Sequence, residues 1–299
     1  MKLAATPKAI SPFSMIQSIG KRYEFEIYLL RRNPMTMLGL SILVIVVLLG
    51  VLAPYIAPYN PLDVSPKEKL KPPSMAHWMG TDDFGRDILS RVLYATRTDL
   101  MIAISAVSIA AVIGIFLGSV AGYFKGILDE VIMRTLDIVQ AFPAFILAMA
   151  LAVALGSGKT TIIYVVAFIM IPIFARLVRS EILSARERGY AEAARCMGAS
   201  NLQIIVRELL PNCLTPVMVQ FALSMSYAIL DAAALSFIGL GVRPPEPEWG
   251  SMVNLGVRYI VSGEWWMSIF PGLVMAITIL GFNLFADGAR DVFDPRLRS

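Results

Sequence analysis

Residues 37–57 read MLGLSILVIVVLLGVLAPYIA, twenty-one positions without one charged side chain. A helix crossing a roughly 30 Å hydrocarbon core needs about 20 apolar residues, so this run can span a bilayer. Stretches free of Asp, Glu, Lys and Arg recur at 33–62, 100–124, 138–158, 160–175, 209–230 and 265–286. The fourth has only 16 positions, but Leu177 and Val178 extend it past Arg176, whose long stem lets the guanidinium snorkel to the surface. A further run, 232–242, has 11 positions and reads as a re-entrant or surface helix. The pattern predicts an all-α integral membrane protein with six transmembrane helices.

Composition points the same way. Of 299 residues, 57% are hydrophobic and 16% charged, against roughly 45–50% and about 25% in ordinary soluble domains. Mean hydropathy is +0.69. These values exclude a disordered chain, a nucleic-acid-binding domain and most soluble enzymes. One histidine and two cysteines cannot complete a four-ligand zinc site without carboxylates, so no metal site is expected. Cys196 and Cys213 are expected to be free thiols.

Lys and Arg set the orientation. With the N-terminus inside, the inner segments hold 17 of them, and the outer segments hold three once the long first loop is set aside. Both termini are therefore expected in the cytoplasm. The chain divides into an N-terminal segment (1–34), a first transmembrane helix (35–59), an extracytoplasmic loop (60–97), a five-helix core (98–287) and a tail (288–299). The first span starts too late and runs too long for a cleavable signal peptide. An amphipathic stretch around Phe13–Leu30 reads as a helix on the inner surface.

GSGKTT at 156–161 looks like the end of a phosphate-binding loop. The full motif requires a glycine at position 153, which is a valine, and a strand before the loop, where this sequence has a membrane span. A tight reversal between spans three and four is the better reading.

The longest inner segment, 176–212, reads RLVRSEILSARERGYAEAARCMGASNLQIIVRELLPN. A helix rich in Ala, Arg and Glu is predicted to stop at Gly198 in a left-handed cap. Ser200 with Gln203 forms a capping box for the next helix, and Pro211 marks where span five begins. Glu192-Ala193-Ala194, Gly198 and Leu210-Pro211 at this spacing resemble the EAA loop of ABC importer permeases. In that family the loop is a coupling helix, here between helices 4 and 5, that docks in a groove of a cytoplasmic ATPase. Arg186, Arg188 and Arg195 could pair with acids there. Glu208 departs from the pattern, which has an aliphatic residue near the Leu-Pro pair; Leu209 follows one place later.

GTDDFGRDILSR at 80–91, LSFIGLGVRPPEPEWGSM at 235–252 and PGLVMAITILGFNLFADGARDVFDP at 271–295 are similar to the second permease subunit of dipeptide, oligopeptide and nickel importers. YATRTDL at 94–100 departs, with Asp99 where the family usually has a serine. The resemblance implies a chain without catalytic residues in a bacterial inner membrane, importing di- or oligopeptides, with nickel or antimicrobial peptides as alternative cargo. It implies a homologous second permease, two ATPase subunits carrying ATP and magnesium, and an extracytoplasmic peptide-binding protein. An ion-gradient-driven transporter and a membrane-embedded enzyme are the competing classes. The first lacks charged residues at mid-span, and His77 lacks a Ser or Cys partner pattern for the second.

Polar side chains inside spans are candidates for the substrate path because lipid penalises them: Gln140, Gln220, Ser224, Ser226, Asn283 and Asp231. Hydrogen bonds that hold the bundle together are the alternative. For Asp231, Arg97 or Arg243 is the candidate structural partner. Pro244–Trp249 cannot be helical; a rigid rim, a docking surface and a connector with Trp249 at the interface all fit. Trp265 and Trp266 read as interfacial anchors. Asp82, Asp83 and Asp87 alternate with Arg86 and Arg91, which suggests a neutralised surface.

Overall fold

The computed structural model describes residues 33–293. The expected surface helix around Phe13–Leu30 lies outside them. Nine α-helices and one short 3-10 helix (Pro66–Glu68) are described, with five of the α-helices long and apolar enough to cross a membrane. A sixth span is reached only if one bent pair counts as a span. The only extended pairing among the described residues is an isolated bridge between Thr81 and Asp87.

Helix α1 (Pro34–Ile56) starts where the Asn33 side chain accepts from the Met35 amide at 3.0 Å, with Pro34 pre-set for the first turn. It buries only a stripe of Thr36, Gly39, Val46, Gly50 and Ala53. That stripe packs on the last helix and on α2, while most of the rest is apolar and exposed, as a lipid-facing surface should be.

Helix α2 (Ile88–Phe124) is 37 residues long, about 55 Å at 1.5 Å per residue. It begins ten residues before the expected span, so Tyr94–Leu100 is helical and the loop between α1 and α2 ends at Asp87. The Asp87 carboxylate caps it by accepting from the Ser90 amide at 2.8 Å. Its most extensive contact is with α5 (Lys159–Ala185). Gly114, Gly118 and Gly122 recur every four residues on the shared face. A Cβ on Gly118 would sit 2.4 Å from the Ala175 carbonyl oxygen, and one on Gly122 2.9 Å from that of Arg179. In lipid, where apolar surface alone gives helices no reason to associate, such close backbone approach is a main source of cohesion.

The charge-free run 138–158 does not form one span. Helix α3 (Gly126–Gln140) and α4 (Ala144–Leu155) meet at 86°. Pro143 lacks an amide hydrogen and disfavours helical backbone at Phe142, which breaks the run. Twelve residues of α4 reach about 18 Å, short of the core. Arg176 does not snorkel freely: it pairs with Asp137 on α3 at 2.7 Å, and Arg179 grips Asp129 with two bonds of 2.5 and 2.7 Å.

After the short α6 (Gly189–Cys196), helix α7 runs from Asn201 to Phe237. Pro211 does not break it. Ile204–Leu209 widens into a π-turn just before the proline, and the Asn212 side-chain Nδ2 donates to the Glu208 carbonyl at 2.7 Å. Residues 232–237 continue α7, so the expected separate helix over 232–242 is absent; the chain turns at Gly239, φ 85°. The short helix on that side is α8 (Trp249–Val257), followed by α9 (Trp266–Phe293).

Candidate coupling surface and translocation path

Helix α6 spans eight residues and buries two small ones, Ala191 and Ala194, while Ile204, Ile205 and Leu209 are buried on the facing start of α7. Alanines permit this close approach, and the opposite face presents Glu192 and Ala193 to solvent. Gly198, at φ 81° with nothing within 4 Å of a Cβ position, makes the turn out of the helix. Ser200 and Gln203 then form the reciprocal capping box expected from their spacing. Leu210 is half-buried and Pro211 exposed. Met197 and Leu202, 82% and 71% exposed, flank the turn with apolar side chains. The result is a small end-on surface of acid, alanine and apolar knobs.

Sequence reasoning passed over Tyr123, at the end of α2. Its hydroxyl donates to Asn201 Oδ1 at 2.8 Å, and the Arg195 guanidinium lies 5.8 Å from its ring centre. Arg186 donates to its carbonyl at 2.5 Å. No short motif marks such a residue, because its partners are 63 to 78 positions away.

The candidate path residues are not gathered into one polar site. Gln220 donates to Ser224 one turn on, at 3.2 Å. Ser226 donates to the Ile279 carbonyl at 3.3 Å and ties α7 to α9. Asp231 and Asn283 are half-buried on different helices, and no hydrogen bond among the described residues joins them. Neither expected arginine reaches Asp231: Arg243 donates to Ser157 at 3.0 Å, and Arg97 is exposed. Gln140 is exposed at the α3–α4 elbow, where it helps line a cavity of about 400 Å³ with Pro143 and Ile169.

The end of the bundle opposite α6 carries a buried polar layer. Of the acids expected at a neutralised surface, Asp82 is paired with arginine and Asp87 lies against His77, both inside the protein, while half-buried Asp83 has one oxygen without a hydrogen-bond partner. Asp82 binds Arg86 at 2.7 Å and lies 3.6 Å from Arg91, all three being buried. Burying such pairs favours one specific arrangement more than it adds stability. His77 Nδ1 sits 2.9 Å from Asp87, whose other oxygen accepts from the Ser90 hydroxyl at 2.7 Å. The serine is held by the aspartate, not the imidazole, so His77 and Ser90 do not form a base–nucleophile pair. Trp249 and Trp266 are buried, not interfacial. Trp266 donates to the Thr81 carbonyl at 3.2 Å, and Trp265 alone of these three is exposed.

In the α4–α5 turn, Gly156 and Gly158 take φ of 85° and 149°. Lys159 is bound by Glu246 at 2.6 Å, so the phosphate-loop lysine is an ion-pair partner for the proline-rich loop. A cavity of about 900 Å³ beside that loop is lined by Arg86, Arg91, Arg243, Glu246 and Arg258 among others. Behind it, Glu248 caps α8 by accepting from the Gly250 and Ser251 amides at 2.8 and 2.7 Å. Asp99 accepts from the Trp249 amide at 3.1 Å. The two carboxyl groups are fully buried within hydrogen-bond reach of one another. Burial holds the Glu248 carboxyl above its ordinary range, against the pull of the two amides. Among the described residues no group of three or more His, Cys, Asp or Glu is placed to hold a metal ion.

Residues 114–299 match the family described as binding-protein-dependent transport system inner membrane component. Residues 28–73 match the N-terminal transmembrane domain of oligopeptide transport permease C. The chain is 40% identical to a dipeptide transport system permease protein of Alkalihalophilus pseudofirmus over 90% of this chain and 88% of that one. It is 38% identical to a probable D,D-dipeptide transport system permease protein of Escherichia coli, covering 99% and 98%. Against a glutathione transport system permease protein of Pectobacterium atrosepticum it is 40% identical, covering 92% and 91%. With five apolar helices of spanning length and this match over most of its sequence, the chain belongs to the multi-pass inner-membrane permeases of binding-protein-dependent transport systems.

Proposed function

We propose that this chain is one of two permease subunits of an ATP-driven importer, carrying di- or oligopeptides across a bacterial inner membrane. The observation that carries this reading is α6: an eight-residue helix with its alanines against α7 and with Glu192 and Ala193 outward, ended by Gly198. On this reading α6 faces the cytoplasm, as do both termini, and docks on an ATPase subunit that binds ATP with magnesium. Glu192, Ala193, Ala194, Gly198, Leu210 and Pro211 form the coupling element, and the chain carries no catalytic residue of its own. An extracytoplasmic binding protein delivers the peptide at the opposite end. Alternating access then comes from the two permeases rocking as the ATPases close and open.

The test is uptake of labelled dipeptide, longer peptide and nickel in cells lacking only this gene, against cells with it restored. Loss of peptide uptake alone is expected. Loss of nickel uptake alone would move the chain to metal import, and no loss of any would overturn the cargo assignment.

A further inference from the structure

The position of α6 rests on little packing of its own, with Tyr190 half-buried against the core beside the two alanines. The helix is short, only its two alanines are buried, and the Met197–Ser200 turn after it pivots on an exposed glycine with open space around it. Residues before and after that turn nevertheless converge on one side chain of another helix. Arg195, before the turn, lies against the Tyr123 ring, and Asn201, after it, accepts from the Tyr123 hydroxyl. Tyr123 is itself fixed. Its ring is buried, its carbonyl accepts from Arg186, and one residue earlier Gly122 packs against the α5 backbone. Lys125 and Glu187 add an exposed ion pair of 3.3 Å across the same gap.

We infer that Tyr123 is a positioning residue for coupling: it clamps both sides of the Gly198 turn to α2, so that displacement of α6 moves α2 and α5 rather than flexing the turn. This inference rests on the proposed role of α6. A turn without the clamp absorbs part of each ATPase stroke locally. ATP is then hydrolysed with less peptide moved, while the bundle itself stays folded, because one hydroxyl at its end is not part of its packing.

The test uses the complete transporter, with its partner permease, ATPases and binding protein, in proteoliposomes. Peptide imported per ATP hydrolysed is read for Tyr123→Phe, which keeps the ring under Arg195 and removes only the hydroxyl. A fall of about three- to tenfold is expected, the range for losing one hydrogen bond. Asn201→Ala is expected to give the same fall, and the double variant no more than either alone. An unchanged ratio in both single variants, or fully additive losses, would overturn the inference. Should Tyr123→Phe lower the melting temperature of the complex, Asn201→Ala carries the test, since Asn201 is exposed. Glu192→Ala separates the two levels. If it uncouples while Tyr123→Phe and Asn201→Ala do not, only the clamp fails; if none uncouples, the coupling role of α6 fails as well.

Discussion

Asp99 and Glu248 show how one buried contact can dominate a residue's behaviour. Glu248 has two backbone donors, and Asp99 has one oxygen without any partner beyond its neighbour carboxyl. Holding both as anions in this setting is unfavourable. A carboxyl raised in the folded state contributes stability that is complete below its unfolded value, 4.5 for glutamate, and is lost as pH rises through the folded value. The thermal midpoint of the protein is therefore expected to fall as pH is raised from 5 towards the alkaline side. Asp99→Asn keeps an acceptor for the Trp249 amide and supplies a permanent donor to Glu248. Its midpoint should vary less with pH, and midpoints measured in detergent across that range decide the matter. Asp99 was visible in the sequence only as an oddity, because its partner stands 149 positions later.

Among the elements, the α2–α5 pair is where close packing matters most. Gly118→Ala places a methyl group 2.4 Å from the Ala175 carbonyl oxygen, and backbone on both sides leaves nothing flexible to yield. A loss of about 1–3 kcal/mol is expected from overpacking, and more from Gly118→Leu. Denaturation midpoints of the purified protein measure it. A change at Gly126, where a Cβ meets nothing within 4 Å, is strained only by its φ of 62° and tests whether position or conformation matters. Spans α1, α2, α5, α7 and α9 were legible from the absence of charge alone, because lipid penalises any charged side chain wherever it sits along the span. The third was not. Hydropathy records that 138–158 is apolar and says nothing of the direction taken after Pro143.

For the molecule as a whole, the proposed orientation makes a simple claim. Met75, in the first loop, and Cys196, at the end of α6, lie on opposite sides of the membrane, and both are exposed. A membrane-impermeant thiol reagent should modify Met75→Cys in intact cells, and Cys196 only in inside-out vesicles freed of bound ATPase. Buried Cys213 should react in neither. Modification of Cys196 in intact cells would reverse the orientation.

Hydropathy, charge bias and the 192–211 motif establish the membrane class, the long spans and the α6–Gly198–α7 geometry, because each rests on residues within a few turns of one another. Caps such as Ser200 with Gln203 are local for the same reason. The burial of Asp82, Arg86 and Arg91, the isolation of Asp231, the burial of Trp249 and Trp266, and the convergence on Tyr123 depend on chain segments tens to hundreds of positions apart. Side-chain chemistry says what such groups require, but only the packing of helices decides which partner meets the requirement.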